Sequence, residues 1–569
     1  MRMSEENHPH ENAVWGAVFA ETLARLGLRE VVIAPGSRST PMVCALVAHA
    51  ELHCTPILDE RTAGFYALGK IRGRGRPVLV VCTSGTAGAN LYPAVIEARE
   101  DHLPLLCVTA DRPPEMRFCR SGQTIDQLGL FGRYPVFSTE LALPSLEDAR
   151  LRHLRQTLVH SWHQAVGWGG GPVHLNVPLR DPLAPIPVAG KTVRFSVEPF
   201  CASARAVSVR PKRNPPESLD GFPQRGVIVA GGISLSDPVR EAEMLHKLGR
   251  GLGWPILADP LSSVRFRNRG EGEVVGAYDM ILRNPTQAKE LQPEGVLQIG
   301  PLPTSKVLRA WLSDGTAPRW MLTEHGDNLD PTHGDTTPWA CSLKDLVAPA
   351  PQPPTNWEKQ WMDAEATAWK SLATGMDDLD FPFAGSVAWS LERLLPEGAR
   401  LFLASSMPVR DVEYFTAPND RRWTVYANRG ANGIDGTLGT ILGLADPAAP
   451  LFALTGDLAF LHDTNALLTV REVRGSVTIL LLDNGGGGIF EHLPVAQIPG
   501  DMFTRFFATP QSVDFPALVG AYGVDFQVVA TIPELVAELS RKPQDGVRVL
   551  CWRSDRKRDA AQRRDLLQG

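Results

Sequence analysis

No run of this 569-residue chain is apolar for long enough to cross a bilayer, and its start, MRMSEENHPHENAV, lacks the apolar core of a secretion signal. A cytoplasmic protein without membrane insertion is therefore expected. Excess positive charge is missing as well. Lys and Arg number 57 against 63 Asp and Glu, a net charge of -6, which argues against the basic face that a nucleic-acid binder needs. The eight cysteines (44, 54, 82, 107, 119, 201, 341 and 551) form no CxxC pair, which argues against zinc ligation and a disulfide framework. Cys82 and Cys107 fall in apolar runs and are expected in the core. No fixed-period repeat is visible. What remains is an ordinary globular composition, 43% hydrophobic and 21% charged, in a chain long enough for two to four domains.

Residues 13–190 alternate helices with apolar strands. The pattern predicts a helix over Ala13–Leu26 and strands over Glu30–Ala34, Pro77–Cys82 and Leu103–Thr109, a doubly wound α/β plan. The strands end in PGSRSTP (35–41), TSGTAGAN (83–90) and ADRPPEM (110–116). A Pro, Arg and Ser-rich stretch at 191–222, centred on RPKRNPPES, reads as a linker. A second α/β unit follows at 225–346, with strands expected over Gly226–Ala230, Pro255–Ala258 and Val296–Ile299. A helical run is expected after Gly231-Gly232. That pair belongs to no GxGxxG, so packing explains it better than a dinucleotide site, and an NAD-dependent oxidoreductase is disfavoured. A proline-rich linker at 347–357 precedes the third unit, which shares the α/β plan of the first. The tail from Arg553 mixes basic and acidic residues and reads as a solvated helix face.

The third unit carries the densest chemistry. An apolar run, Leu451–Leu454, leads to Gly456-Asp457. A helix is expected over Leu458–Val473, then a buried strand over Val477–Leu482, ending in Asp483-Asn484 and four glycines. Strand ends of a parallel sheet share one edge, where ligands bind, so Asp457 and Asn484 converge there. A carboxylate, an amide oxygen and a glycine carbonyl, that of Gly486, form a hard oxygen site suited to Mg²⁺. Glycines beside it let the backbone approach a diphosphate. The package resembles the thiamine diphosphate motif, with Leu458 in place of its third Gly and Asp483 in place of its first Asn. Asp483 adds a negative charge near the expected diphosphate. Thiamine enzymes also need a carboxyl group against the cofactor's aminopyrimidine. Glu60 is the candidate, in Asp59-Glu60-Arg61 between a short expected strand, Pro56–Leu58, and a helix running through Ala67. The competing reading is a helix-start acid favoured by the dipole.

Eight runs in order carry a closer resemblance: APGSRSTP (34–41), DERTAGFYALG (59–69), CTSGTAGANLYPAVIEA (82–98), TADRPPE (109–115), SMPVRD (406–411), ANRGANGIDG (427–436), GDLAFLHDTNALL (456–468) and GGIFEHLP (487–494). Together they resemble the 2-succinyl-5-enolpyruvyl-6-hydroxy-3-cyclohexene-1-carboxylate synthases of menaquinone biosynthesis. The echo is weakest in the middle unit, where PTSK (303–306) is its main trace.

The resemblance implies three doubly wound α/β domains: pyrimidine-binding (1–190), middle (191–350) and diphosphate-binding (351–569). It implies thiamine diphosphate with Mg²⁺ or Mn²⁺, the substrates 2-oxoglutarate and isochorismate, and a homodimer or dimer of dimers with sites at the interface. Cofactor contacts are implied for Glu60, Ser84, Gly85, Thr86, Asp457, Asn484, Gly486, Ile489 and Phe490. Substrate contacts are implied for Ser37, Arg38, Arg112, Gln123, Lys306, Ser406, Arg410, Arg429, Phe490 and Leu493. Both substrates are multiply anionic, and Arg matches a carboxylate bidentately where Lys offers a point charge. Ile489, Phe490 and Leu493 would supply an apolar wall; core packing at helical spacing is the competing reading.

Departures from the family pattern fall beside presumed substrate contacts. They are Ala404-Ser405 before Ser406, Arg120-Ser121-Gly122 before Gln123, and Asn432 in place of Ser. Two alternatives stay open: another thiamine diphosphate-dependent 2-oxoacid decarboxylase or carboligase, and a non-catalytic regulatory protein of the same fold.

Overall fold

The computed structural model describes residues 6–187, 192–206, 214–219, 221–232, 237–268, 270, 272–541 and 545–568. Part of the first linker, Arg210–Arg213 included, lies outside the described residues. So do 233–236, where the helical run after Gly231-Gly232 was expected to begin; the helix there is Pro238–Leu252.

The chain divides into two compact units: Met1–Pro211 with Asn428–Ala445 and Asp463–Val473, and Lys212–Ala427 with Asp446–His462 and Arg474–Gly569. The first unit holds a six-stranded sheet, all parallel, in the order His53–Pro56, Glu30–Ile33, Val78–Cys82, Leu105–Asp111, Val173–Pro178, Phe137–Glu140. Its central strands, such as VLVVC and LLCVTAD, are buried throughout, as expected for strands covered on both faces. On one face Leu79 and Val81 share a core with Trp15, Phe19 and Leu23 of helix Glu11–Leu26. A small antiparallel pair, Glu6–His8 with Val193–Phe195, lies apart from this sheet.

The second unit holds two further six-stranded parallel sheets. One runs Val274–Val275, Ile256–Ala258, Gly226–Ala230, Gly295–Ile299, Arg319–Leu322, Thr336–Trp339. The other runs Thr424–Tyr426, Arg400–Leu403, Leu451–Gly456, Ser476–Asp483, Gly546–Arg553, Asp525–Val529. Counted along the chain, this last sheet repeats the strand order of the sheet in the first unit, while the other differs. The plan expected to be common to the first and third segments is thus identical in topology.

Where the winding reverses beside the first strand, the loops approach closely in two of the sheets. In the first unit a Cβ on Gly36 would lie 2.1 Å from Thr83. In the middle sheet a Cβ on Gly231 would lie 1.8 Å from the Pro301 carbonyl, so the Gly-Gly pair is there for packing, as expected.

Four expectations need correction. The stretch at 191–222 is not wholly a linker: it begins with strand Val193–Phe195 and helix Val197–Cys201, whose Val197 and Cys201 are buried in the first unit's core. The strand before Asp59 is His53–Pro56, and Leu58 is exposed. The expected helix over Leu458–Val473 is two pieces, an α-helix Asp457–His462 and a 3₁₀ segment Thr464–Glu472. The break falls at Asp463, whose carboxylate accepts from Gly439 N–H at 2.7 Å and from Leu438, and so caps helix Thr437–Gly443. Finally, the tail helix Arg556–Gln568 is not merely a solvated face: Asp559, Ala560, Arg563, Leu566 and Leu567 are buried. Arg563 binds Asp411 through two parallel bonds of 2.7 and 3.0 Å. Cys82 and Cys107 are buried as expected, and none of the eight cysteines is in a disulfide. Among the described residues no helix is long and apolar enough to cross a membrane.

Burial, opposed by the two capping N–H groups and reinforced by Asp59 and Asp435, pushes the Asp463 carboxyl up to about 7. The folded chain therefore holds this proton more tightly than the unfolded chain. The associated stability is full below about pH 4 and is lost as pH rises through about 7. Asp463→Asn keeps an acceptor oxygen without the charge. It is expected to raise Tm by a few degrees near about pH 8 and by clearly less near about pH 5, where only part of the loss has set in. Equal shifts at both pH values would remove the coupling.

Candidate active site

In the first unit, helix Glu60–Arg74 begins at Asp59, which accepts from Arg61 N–H at 2.9 Å. Asn465 also donates to Asp59, at 3.0 Å. This cap fixes half-buried Glu60 in the first turn, where the helix dipole favours its charge. Glu60 Oε2 lies 3.4 Å from Asn90 Nδ2, at the long limit of a hydrogen bond, so one oxygen is weakly engaged.

The loop Thr83–Gly85 is held from below. Gly85, at φ 79, donates its N–H to Gln127 Oε1 at 2.8 Å. Gln127 is itself fixed by Asn176 Oδ1 at 2.8 Å and the Ala110 carbonyl at 3.2 Å. Arg112 donates to Ser84 Oγ, and Gln123 Nε2 donates to the Ser84 carbonyl at 3.1 Å. Thr86 opens helix Thr86–Asn90.

Arg38 donates to the Leu179 carbonyl at 3.0 Å and lies 3.7 Å from Asp181; its Nε is buried without a partner. Burial and the neighbouring Arg38 charge push the Arg112 guanidinium down, although Asp111 and Asp181 oppose them. Two like charges thus approach each other, an arrangement that an anion relieves. The structure therefore gathers Arg38, Ser84, Arg112 and Gln123 at one sheet edge. Ser37 stands in the adjoining loop, its carbonyl accepting from Thr40.

Arg429, half-buried, also belongs to the first unit, in the segment Asn428–Ala445. Glu97 accepts from the two N–H groups after it, those of Gly430 and Ala431. Asn432 has φ 63, a left-handed conformation that Asn tolerates better than most residues, which accounts for that departure from the family pattern.

In the second unit, Asp457 directly follows strand Leu451–Gly456. Its oxygens accept from Gly486 N–H at 2.6 Å and Leu458 N–H at 2.7 Å. The glycine run can fold over it because Gly485 and Gly486 adopt φ 77 and 124, and a Cβ on Gly486 would lie 2.2 Å from the Ala508 carbonyl. Burial raises the Asp457 carboxyl to about 6; Gly486 and Leu458 lower it and Asp483 raises it further. Asp483 itself lies 3.7 Å from Arg553, which offsets part of its charge.

Asn484 Oδ1 is buried without a hydrogen-bond partner. An orphaned amide oxygen near an under-compensated carboxylate fits a divalent cation. The Gly486 carbonyl accepts from Gly488 N–H at 2.8 Å and retains a second lone pair. Among the described residues no group of three or more His, Cys, Asp or Glu side chains is placed to hold a metal, so the donor set is this mixed one.

Ser406 begins helix Met407–Phe415 at φ 75, strained for a residue with a side chain. Arg410 Nη1 folds back to the Ser406 carbonyl at 2.6 Å. Lys306 is exposed at the start of helix Lys306–Asp314; next to it Ser305 N–H donates to Glu413 on the Arg410 helix at 3.0 Å. Ile489, Phe490 and Leu493 are half-buried on and just after the 3₁₀ turn Gly488–His492, with Phe490 edge-on to Phe507 at 6.0 Å. They do not sit at α-helical core spacing.

Glu97, His492 and Arg563 were not foreseen. Arg563 Nη1 lies 3.2 Å from His492 Nε2, tying the tail helix to the turn between Phe490 and Leu493. Burial first, then Arg563, Arg564, Arg283 and Arg410, lower His492 to about 4, so it is neutral at physiological pH.

Three family models match the chain: a thiamine pyrophosphate enzyme N-terminal TPP-binding domain over residues 14–130, a middle domain of thiamine pyrophosphate enzymes over 205–403, and a C-terminal TPP-binding domain over 409–550. With the three parallel sheets, these define a thiamine diphosphate-dependent enzyme. Curated relatives narrow this further. Proteins named 2-succinyl-5-enolpyruvyl-6-hydroxy-3-cyclohexene-1-carboxylate synthase from Synechococcus elongatus and Thermosynechococcus vestitus are 45% and 46% identical, each over 98% of this chain and over 95% and 98% of their own lengths. One from Gloeothece citriformis is 44% identical over 96% of both chains. The chain belongs to the 2-succinyl-5-enolpyruvyl-6-hydroxy-3-cyclohexene-1-carboxylate synthase family.

Proposed function

We propose that this chain, a thiamine diphosphate-dependent transferase, decarboxylates 2-oxoglutarate and joins the succinyl unit to isochorismate, giving 2-succinyl-5-enolpyruvyl-6-hydroxy-3-cyclohexene-1-carboxylate in menaquinone biosynthesis. The observation that carries this reading is the relationship to synthases of that name over 98% of the chain. Bound thiamine diphosphate supplies the electron sink for the decarboxylation. Asp457, Asn484 Oδ1 and the Gly486 carbonyl hold Mg²⁺ or Mn²⁺ with the diphosphate. Ser84, Gly85, Thr86, Ile489 and Phe490 line the cofactor, and Glu60 moves a proton at its aminopyrimidine. Ser37, Arg38, Arg112, Gln123, Lys306, Ser406, Arg410 and Arg429 bind substrate carboxylates and hydroxyls, while Phe490 and Leu493 exclude water. Residues 1–190, 191–350 and 351–569 serve as pyrimidine-binding, middle and diphosphate-binding domains of a homodimer or dimer of dimers.

Incubation with 2-oxoglutarate and isochorismate, followed by mass measurement, should give the succinylated cyclohexene. Pyruvate in place of 2-oxoglutarate should give little product; the reverse preference would overturn the assignment. Arg410→Ala and Arg429→Ala should each lower kcat/KM by about 2–5 kcal/mol of transition-state stabilisation, the cost of removing a buried charge partner. Steady-state kinetics with each substrate varied checks this, and values close to wild type for both would make them surface residues.

A further inference from the structure

Arg429 carries a long, flexible side chain on a loop, yet a bidentate clamp needs a fixed origin. The structure supplies one. Glu97, on helix Tyr92–Glu100, is only 2% exposed and grips the loop with both oxygens. Oε1 accepts from Gly430 N–H at 3.0 Å and Oε2 from Ala431 N–H at 2.7 Å. The first of these bonds fixes the peptide plane joining Arg429 to Gly430. Rotation of that plane would swing the whole Arg429 side chain.

The carboxylate is secured in turn. Arg72, from helix Glu60–Arg74, donates to Glu97 Oε1 at 2.9 Å and is also paired with Asp101. The loop lies tight on the helix: a Cβ on Gly430 would stand 2.7 Å from the Glu97 carbonyl and 3.0 Å from Glu100 Cβ. Only glycine fits there without moving the loop. A buried carboxylate is costly to keep, and one facing two consecutive N–H groups and a guanidinium is built for this purpose.

We propose that Glu97 is the positioning residue for Arg429, holding its backbone so that the guanidinium meets a substrate carboxylate. The proposal rests on the reading of Arg429 as a substrate-binding residue.

Glu97→Gln keeps the shape but turns one oxygen into an NH₂ group that faces an N–H. It should raise the KM of one substrate by about tenfold or more, the scale of losing a charged hydrogen-bond partner, with thiamine diphosphate affinity unchanged. Gly430→Ala, which pushes the loop from the outside, should do the same and covers the case in which Glu97→Gln fails to fold. In an Arg429→Ala background both substitutions should be nearly silent, because the group they position is gone. Full effects in both backgrounds, or no effect in the wild-type background, would overturn the positioning role while leaving Arg429 as a substrate contact. Wild-type kinetics for Arg429→Ala alone would overturn the reading of Arg429, and the role of Glu97 with it.

Discussion

Asp457→Ala is expected to abolish metal-dependent binding of thiamine diphosphate while leaving the chain folded. The free chain gains little from this carboxylate, since burial raises it to about 6 although it accepts from backbone N–H groups of Gly486, Leu458 and Gly485. Its removal costs these backbone hydrogen bonds but also relieves a buried charge, effects of opposite sign. In the proposed metal site the same carboxylate would face a divalent cation as an essential donor. Calorimetric titration in Mg²⁺ should therefore give strong binding for the wild type and none for the variant. Melting should separate the two states independently. A ligand at about a hundred times its dissociation constant stabilises the wild type by roughly 2.7 kcal/mol, and the variant should show no such shift. Chelation of the metal should bring the wild type down to the variant. Unchanged cofactor affinity in Asp457→Ala would remove these residues from the metal site.

The strand ends were legible in the sequence because a buried parallel strand is nearly all apolar, so the residue that breaks the run is conspicuous. Gly456-Asp457 and Asp483-Asn484 each close such a run, and both fall at the edge expected. What escaped is what tertiary partners decide. Asp463 sits at the break between two helical pieces, and its carboxylate caps a helix through Gly439 and Leu438, which are far away in sequence. Arg563 sits in a tail whose charges alternate like those of a solvated face, and its partners Asp411 and His492, distant in sequence, hold it in the interior. Glu97 lies inside a recognisable motif, but nothing local distinguishes a carboxylate that grips a distant loop from one on a helix surface. The left-handed Ser406 belongs to the same class, since its side chain is held at φ 75 by its surroundings and not by its type.

Glu60→Gln should be nearly inactive for a different reason, and the contrast locates the site. The substitution keeps a side chain able to meet Asn90 but cannot exchange a proton, so cofactor binding should survive while kcat falls by about 10²–10⁴-fold, the usual scale of acid–base catalysis. Asp457→Ala instead loses the cofactor itself. In the proposed homodimer each cofactor takes Glu60 from one subunit and the partner subunit's Asp457, with two equivalent sites related by the two-fold axis. Co-expression of the two variants then tests the arrangement. In a heterodimer one site combines the intact Glu60 of the Asp457→Ala chain with the intact Asp457 of the Glu60→Gln chain, and its sister carries both lesions. With random pairing roughly a quarter of all sites should be wild type, as two-fold symmetry requires. The recovered activity should appear in both carbon dioxide release and product formation, because the restored site is complete. If instead a single chain supplied both residues to its own cofactor, every site would carry one lesion and mixing would recover nothing. Heterodimers confirmed by mass, yet no more active than either parent, would therefore sink the shared site and return Glu60 and Asp457 to one subunit.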